Sequence, residues 1–424
     1  MIRSLGDRKA IAAAVLIAFA GYMFLNLRIA PSVFGRSKND FACFYRAGRM
    51  VLEGDGYRIY ELSAERDYDD MLGTKSVDAD GNAISLPFVF APFTLVLFVP
   101  IAELPFRQAA FVWYTLNVAI LLALPFLFRR SLDLGPKALV VTLIAPLFFL
   151  PAILALIQGQ PAILMLLFFV LAYLNLECGR ELRAGCWLGL ASFKPQFVLP
   201  MLLALMVWRK KRALLAFVLT CAGLIAVSIP MVGWRATFGY PRALMRYAGM
   251  AGQFGGEHPA SMPNLRGFLY SAWHTRVTPA LLRLITFAIS LVLLAAMACV
   301  LERWKELSWD AFSLVLIVTL LTSYHAYLHD DSLLLLPCLI LGRQVLHCNE
   351  PVFQVLAFSS IAAVFIVPLV PTSLTTTASQ MFVVILASAT LMSVRMFMTD
   401  NTAPPPEEMK GRSVSVDARS LVSR

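Results

Sequence analysis

Along the chain, apolar residues gather into long blocks separated by short polar clusters. The first block, Ala10 to Leu27, follows Arg3, Arg8 and Lys9. At 1.5 Å rise per residue, crossing about 30 Å of hydrocarbon takes about 20 apolar residues. Further blocks lie at 107–128, 137–152, 161–177, 184–195, 196–208, 213–231, 279–301, 309–324, 331–346, 353–369 and 378–396. The pattern predicts an all-α polytopic membrane protein with about twelve transmembrane helices, several of them short. Phe88 to Ala102 fits less well, being only about 15 residues long for a crossing. It carries Pro92 and Pro100, is flanked by Pro87 and Pro105, and no basic cluster follows it. It reads as a helix lying on or dipping into the outer face, with a short tilted span as the alternative.

Composition supports the membrane reading. Hydrophobic residues make up 59% of the 424 and charged residues 15%, against roughly half and a quarter in soluble domains. A soluble globule is excluded. The net charge of +10 invites a nucleic-acid reading, but the basic residues sit largely between apolar blocks, as orientation signals do. Arg129/Arg130/Lys137, Arg180/Arg183, Arg209 to Arg212, Arg303/Lys305, Arg343 and Arg395 then mark the cytoplasmic side, with both termini there. The first block is expected to be a retained signal anchor, because no small-residue cleavage site follows it. The seven cysteines form no disulfide or zinc pattern. Residues 1–398 are expected to be one transmembrane domain and 399–424, with Pro404-Pro405-Pro406, a disordered cytoplasmic tail.

Two long segments, 28–106 and 232–278, then face the outside, where loops of this length usually carry function. In the first, Phe41 to Val51 and Tyr60 to Leu72 have the spacing of amphipathic juxtamembrane helices. Asp40 stands at the start of the first stretch. As a bland reading it caps the helix; as a functional one it accepts a proton from an attacking hydroxyl, beside Tyr45 and Arg46. Gln158-Gly159-Gln160-Pro161 interrupts an apolar stretch, as a tight turn or a polar site. Lys194, in Ser192-Phe193-Lys194-Pro195-Gln196, lies between two apolar halves and reads as a broken helix with its ammonium at a cavity, or as a lysine snorkelling to the interface. A phosphate contact is favoured, since Pro195 frees backbone groups that need a partner. His325 and His329, four apart and followed by Asp330 and Asp331, would share a helix face; sugar or phosphate hydrogen bonding is preferred there to metal ligation. In the second loop Asn264 and Arg266 stand out within a compact stretch, among arginines suited to phosphate or lipid headgroups. Nucleotide-binding, nucleophile-elbow and zinc-protease motifs are absent from the sequence.

These motifs and their order resemble glycosyltransferase family 87, polyprenyl-phosphate-mannose-dependent mannosyltransferase-like proteins with a GT-C fold. The resemblance rests on Asp40-Phe41, Tyr45-x-Ala47-Gly48, Leu52-x-Gly54, Tyr57-x-x-Tyr60, Pro87 to Pro92, Gly159-Gln160, Ala184-Gly185, Phe193-Lys194-Pro195 and Ser323 to Asp330. It implies an enzyme of the bacterial inner membrane and cell envelope. Such an enzyme moves mannose or another hexose from a polyprenyl-phosphate sugar to a glycan or glycolipid acceptor on the extracytoplasmic face. It works with inversion, often without a metal, and needs no cofactor. Asp40 falls where the family has its general base, Lys194 at the donor phosphate, and His325, His329 and Asp330 in the cavity's polar cluster. Tyr324 departs from a common proline and Ala91 from a common aromatic, which leaves the donor sugar open. A lipid-linked-sugar transporter or flippase, and a noncatalytic membrane subunit, stand as alternatives; a transporter is expected to interrupt its helices at matching places in both halves.

Overall fold

The computed structural model describes residues 5–28, 40–77, 83–249, 258–347, 351–366 and 368. The expected span 378–396, the end of 353–369 and the tail lie outside them. The chain opens with α1 (Leu5–Arg28). The first loop then folds into α2 (Phe41–Leu52), α3 (Leu62–Leu72), a two-residue antiparallel ladder of β1 (Ser76–Val77) on β2 (Ala83–Ile84), and α4 (Leu95–Ala102). There follow α5 (Phe106–Phe128), α6 (Pro136–Ile144), α7 (Leu150–Gln158), α8 (Ala162–Glu177), α9 (Glu181–Leu190) and α10 (Pro195–Val207). The rest comprises α11 (Lys211–Gly249), α12 (Leu265–Trp273), α13 (Pro279–Trp304), α14 (Trp309–Thr322), α15 (Leu335–His347) and α16 (Pro351–Ile366).

This is a helical membrane protein. Four described helices, α1, α5, α11 and α13, are long and apolar enough to cross a bilayer. A fifth crossing arises if the residues from Pro136 to Gln158 count as one span, bent by 61°. The single block expected over 137–152 is broken because Pro146 and Pro151 each remove a backbone donor. The α8, α10 and α14 helices are apolar but shorter.

The expected end of the span at 231 meets a break at Gly233 (φ 76°, ψ 159°), beyond which the second loop opens with a further helical stretch to Gly249. Tyr240, Leu244, Tyr247 and Ala248 follow its helical periodicity. One expectation needs correction: His325 and His329 do not share a helix face, because α14 ends at Thr322 and a 3-10 turn begins only at Leu328.

Eight-residue α4 rises only about 12 Å, far short of a crossing, and lies buried against α2 through Leu95, Phe98 and Ala102. Gly48 makes that approach possible, since a Cβ there would lie 2.8 Å from the Ala102 Cβ. The first loop is tied together by Arg46, fully buried, which donates to Asp69 Oδ2 at 2.5 Å and to the Leu86 carbonyl at 2.6 Å. Glu65 Oε2 stands 3.2 Å from the same guanidinium while its Oε1 accepts from the Phe88 N–H at 3.1 Å. Two buried carboxylates around one cation leave a charge in excess. Burial pushes the Glu65 carboxyl up to about 7 against the pull of Arg46.

The turns sort to two ends. Sixteen-residue α8 separates them by about 24 Å. At one end Ser131 bonds Glu177 at 2.6 Å and Trp309 Nε1 donates to Ser131 at 2.7 Å, with Lys210 facing Glu181 at 3.6 Å. The basic clusters at 129–130, 180–183 and 209–212 belong to this end. At the other end α2 begins, α7 turns into α8, α9 breaks before α10, and α14 turns into α15.

Candidate active site

Those four turns enclose a cavity of about 700 Å³. Asp40 reaches it from the start of α2. Its carboxylate makes no capping bond to the helix; Oδ2 instead accepts from Gln160 Nε2 at 2.6 Å. Only the Asp40 carbonyl serves the helix start, accepting from the Cys43 N–H at 3.2 Å. Capping, the bland reading of this aspartate, is therefore not what its side chain does. Withdrawal from bulk water raises the Asp40 carboxyl above its ordinary value, opposed by the Gln160 hydrogen bond and the charge of Lys194.

Gln160 is placed by a tight helix end. Gly159 takes the left-handed conformation (φ 68°), which costs a glycine nothing sterically. The Gln160 N–H then closes on the Ala155 carbonyl at 3.0 Å, and Trp113 Nε1 locks the turn by donating to the Gly159 carbonyl at 2.8 Å. Gln160 is buried, and among the described residues its Oε1 has no hydrogen-bond partner. A buried acceptor left open beside a cavity is costly unless something else satisfies it.

Lys194 sits where α9 gives way to α10, with Pro195 at the first helical position as proline prefers. Its ammonium, buried, donates to Asp330 Oδ1 at 2.5 Å and lies 5.8 Å and 5.7 Å from the ring centres of Phe90 and Phe197. Asp330 Oδ2 accepts from the Tyr327 N–H at 3.0 Å and faces His329 Nε2 at 3.4 Å. His329 Nδ1 pairs with Gln158 Oε1 at 2.8 Å. An ammonium has three donors, and one of those on Lys194 is engaged by Asp330. Lys194 is the one Lys or Arg, and Asp40 the one Asp or Glu, among the described residues lining the cavity.

Asp40, Gln158, Gln160, Lys194, His325 and His329 thus line one cavity, with Asp330 directly behind Lys194. Four other candidates do not line it. Tyr45 donates its hydroxyl to the Leu104 carbonyl at 3.0 Å and packs on Phe106. Arg46 is bound within the first loop. Asn264 caps α12 through Gly267 and donates to the Ser323 carbonyl at 2.9 Å; Arg266 stacks 3.8 Å over Tyr324 and donates to its carbonyl at 3.0 Å. The last two hold the backbone that presents His325. In sequence, a polar side chain facing a cavity and one anchoring a turn look alike.

The sequence reading gives no individual role to Phe90, Gln196 and Tyr327, although they lie within its motifs, and does not single out Tyr240 or Tyr247. Gln196 Nε2 donates to the His325 carbonyl at 3.2 Å. Tyr240, Leu244, Tyr247 and Ala248 all face the cavity from the segment of α11 beyond Gly233. Their i, i+4, i+7, i+8 spacing is the signal that would have found them.

A helical protein with apolar spans thus brings a carboxylate and an ammonium to the lining of one roomy cavity. The family model described as glycosyltransferase family 87 matches residues 88–323, more than half of the chain, and the chain belongs to that family. It is a membrane glycosyltransferase by that membership. No curated protein and no solved structure matches it.

Proposed function

We propose that this protein transfers a hexose, mannose or a close relative, from a polyprenyl-phosphate sugar to a glycan or glycolipid on the extracytoplasmic face of a bacterial inner membrane, within a GT-C fold of about twelve spans. The carrying observation is that Asp40 and Lys194, from distant parts of the chain, line one cavity while the Asp40 carboxylate leaves its helix uncapped. Asp40 takes the proton from the acceptor hydroxyl as that oxygen attacks the anomeric carbon. The bond from that carbon to the phosphate oxygen breaks, and its electron pair leaves with the polyprenyl phosphate. Lys194 stabilises the charge growing on that phosphate, its remaining donors turned to the ligand. The basic clusters at the opposite end support an outward-facing cavity, because such clusters stay in the cytoplasm. Family membership favours sugar transfer over the transporter reading.

The test is purified protein in lipid, given a panel of polyprenyl-phosphate hexoses, with donor consumption followed for wild type and Asp40→Asn. Removing a general base is expected to cost about 10² to 10⁴ in rate with the melting temperature unchanged. Full activity in Asp40→Asn overturns the assignment.

A further inference from the structure

We propose that Tyr247, His325 and Tyr327 form the acceptor subsite, and that it takes an uncharged sugar ring; this rests on reading the cavity as the transferase site. The three rings stand in sequence along one wall. Tyr247 meets His325 edge-on with centres 5.7 Å apart, and His325 meets Tyr327 edge-on at 4.8 Å. All three line the cavity and none is fully buried. Two of the chain segments are fixed from behind: the His325 carbonyl by Gln196 and by the Ser323 hydroxyl at 3.0 Å, and the Tyr327 N–H by Asp330. Those two rings therefore stand on held backbone before any ligand arrives.

The negative face of an aromatic ring attracts the polarised C–H bonds on the face of a sugar. The donor's phosphate has its own place at Lys194. Among the described residues that line the cavity, Lys194 is the one lysine or arginine and it stands off this wall, so a second anionic group docked on the rings loses water with little charge to offset it. An acceptor bearing a carboxylate or phosphate on the ring that docks here is accordingly rejected.

Asp40 lines the same cavity as these three rings, its carboxylate held by Gln160 Nε2 at 2.6 Å. A ring stacked on the wall then presents a hydroxyl to Asp40.

The experiment uses full-length protein in lipid nanodiscs, with neutral methyl disaccharides of gluco, manno and galacto configuration and the matching uronic acids as probes. Binding is read by calorimetry and transfer by product formation. Tyr247→Ala and Tyr327→Ala are expected to weaken binding of the preferred neutral disaccharide at least tenfold and to raise the acceptor KM equally, with the donor KM unchanged. Tyr247→Phe and Tyr327→Phe, which keep the rings, are expected to stay near wild type. Uronic acid binding as tight as neutral binding, a rise in donor KM alone, or unchanged acceptor binding in the alanine variants each overturns the proposal. Failure of wild type to bind any neutral disaccharide does so too. Because binding is read apart from transfer, disaccharide binding lost in the alanine variants without any donor consumption would leave the subsite standing and remove the transferase reading instead.

Discussion

Gln160 Nε2 donates to Asp40 Oδ2 at 2.6 Å across 120 residues of sequence. A hydrogen bond to the charged form of a carboxyl lowers its pKa, so Gln160 works against the burial that raises Asp40. In Gln160→Ala the acid limb of kcat is expected to move to higher pH, and activity lost at neutral pH is expected to return partly on the alkaline side. A pH–rate profile of the two proteins checks this. An unshifted limb with uniformly low kcat would mean that Gln160 acts only on substrate.

Lys194 and Asp330 are each buried, 2.5 Å apart. Removing one partner of a buried pair typically costs about 3 to 5 kcal/mol, because the other charge stays buried and uncompensated. Lys194→Gln and Asp330→Asn are each expected to lower the melting temperature strongly, and the double variant to recover most of the loss. Activity is not expected to recover with it, since the Lys194 ammonium is then missing from the cavity. Thermal unfolding paired with the donor-consumption assay separates the two roles.

Much of this site was legible in the sequence, and the reason is depth. Polar residues inside apolar stretches, such as Gln158, Gln160, Lys194 and Asp330, stand out because a bilayer tolerates them only when paired or facing a cavity. Arg46 and Tyr45 were assigned to substrate by their nearness to Asp40. Their partners, Asp69, Leu86 and Leu104, are set by tertiary packing that spacing does not encode. Beyond Gly233, Arg242 and Arg246 draw attention to one helix face, while Tyr240 and Tyr247 turn to the cavity by packing that spacing alone does not encode.

Glu65 makes a prediction about stability. Its folded pKa is about 7, raised above the value of about 4.3 expected in an unfolded chain. The folded protein therefore binds a proton that the unfolded chain has already lost. This contribution is fully present below about pH 4 and fades as pH rises toward about 7. Arg46, Asp69 and Arg246 are the charged groups acting on this carboxyl, with Arg46 and Asp69 in the same buried cluster. Glu65→Gln is expected to flatten the fall in melting temperature between about pH 4 and 7 relative to wild type. A wild-type slope retained in full by the variant would place the titration elsewhere.

Gly233 turns α11 so that Tyr240 and Tyr247 face the cavity, and its φ of 76° with ψ of 159° is a conformation essentially confined to glycine, worth about 1 to 3 kcal/mol of strain for other residues. A bend relieved at this point re-aims the tyrosine face. Gly185 offers the control. It lies in the α9–α11 contact, where an added Cβ would fall 2.1 Å from the Ala213 carbonyl oxygen, and overpacking there typically costs about 1 to 3 kcal/mol. Both alanine variants are thus expected to melt earlier by similar amounts. Only Gly233→Ala is expected to raise the acceptor KM, by about tenfold or more, as misplacement by an ångström is known to cost that much or more. Gly185→Ala is expected to keep kcat/KM within about twofold per folded molecule. Equal kinetic losses in the two would show that the bend carries stability alone and does not aim the aromatic wall.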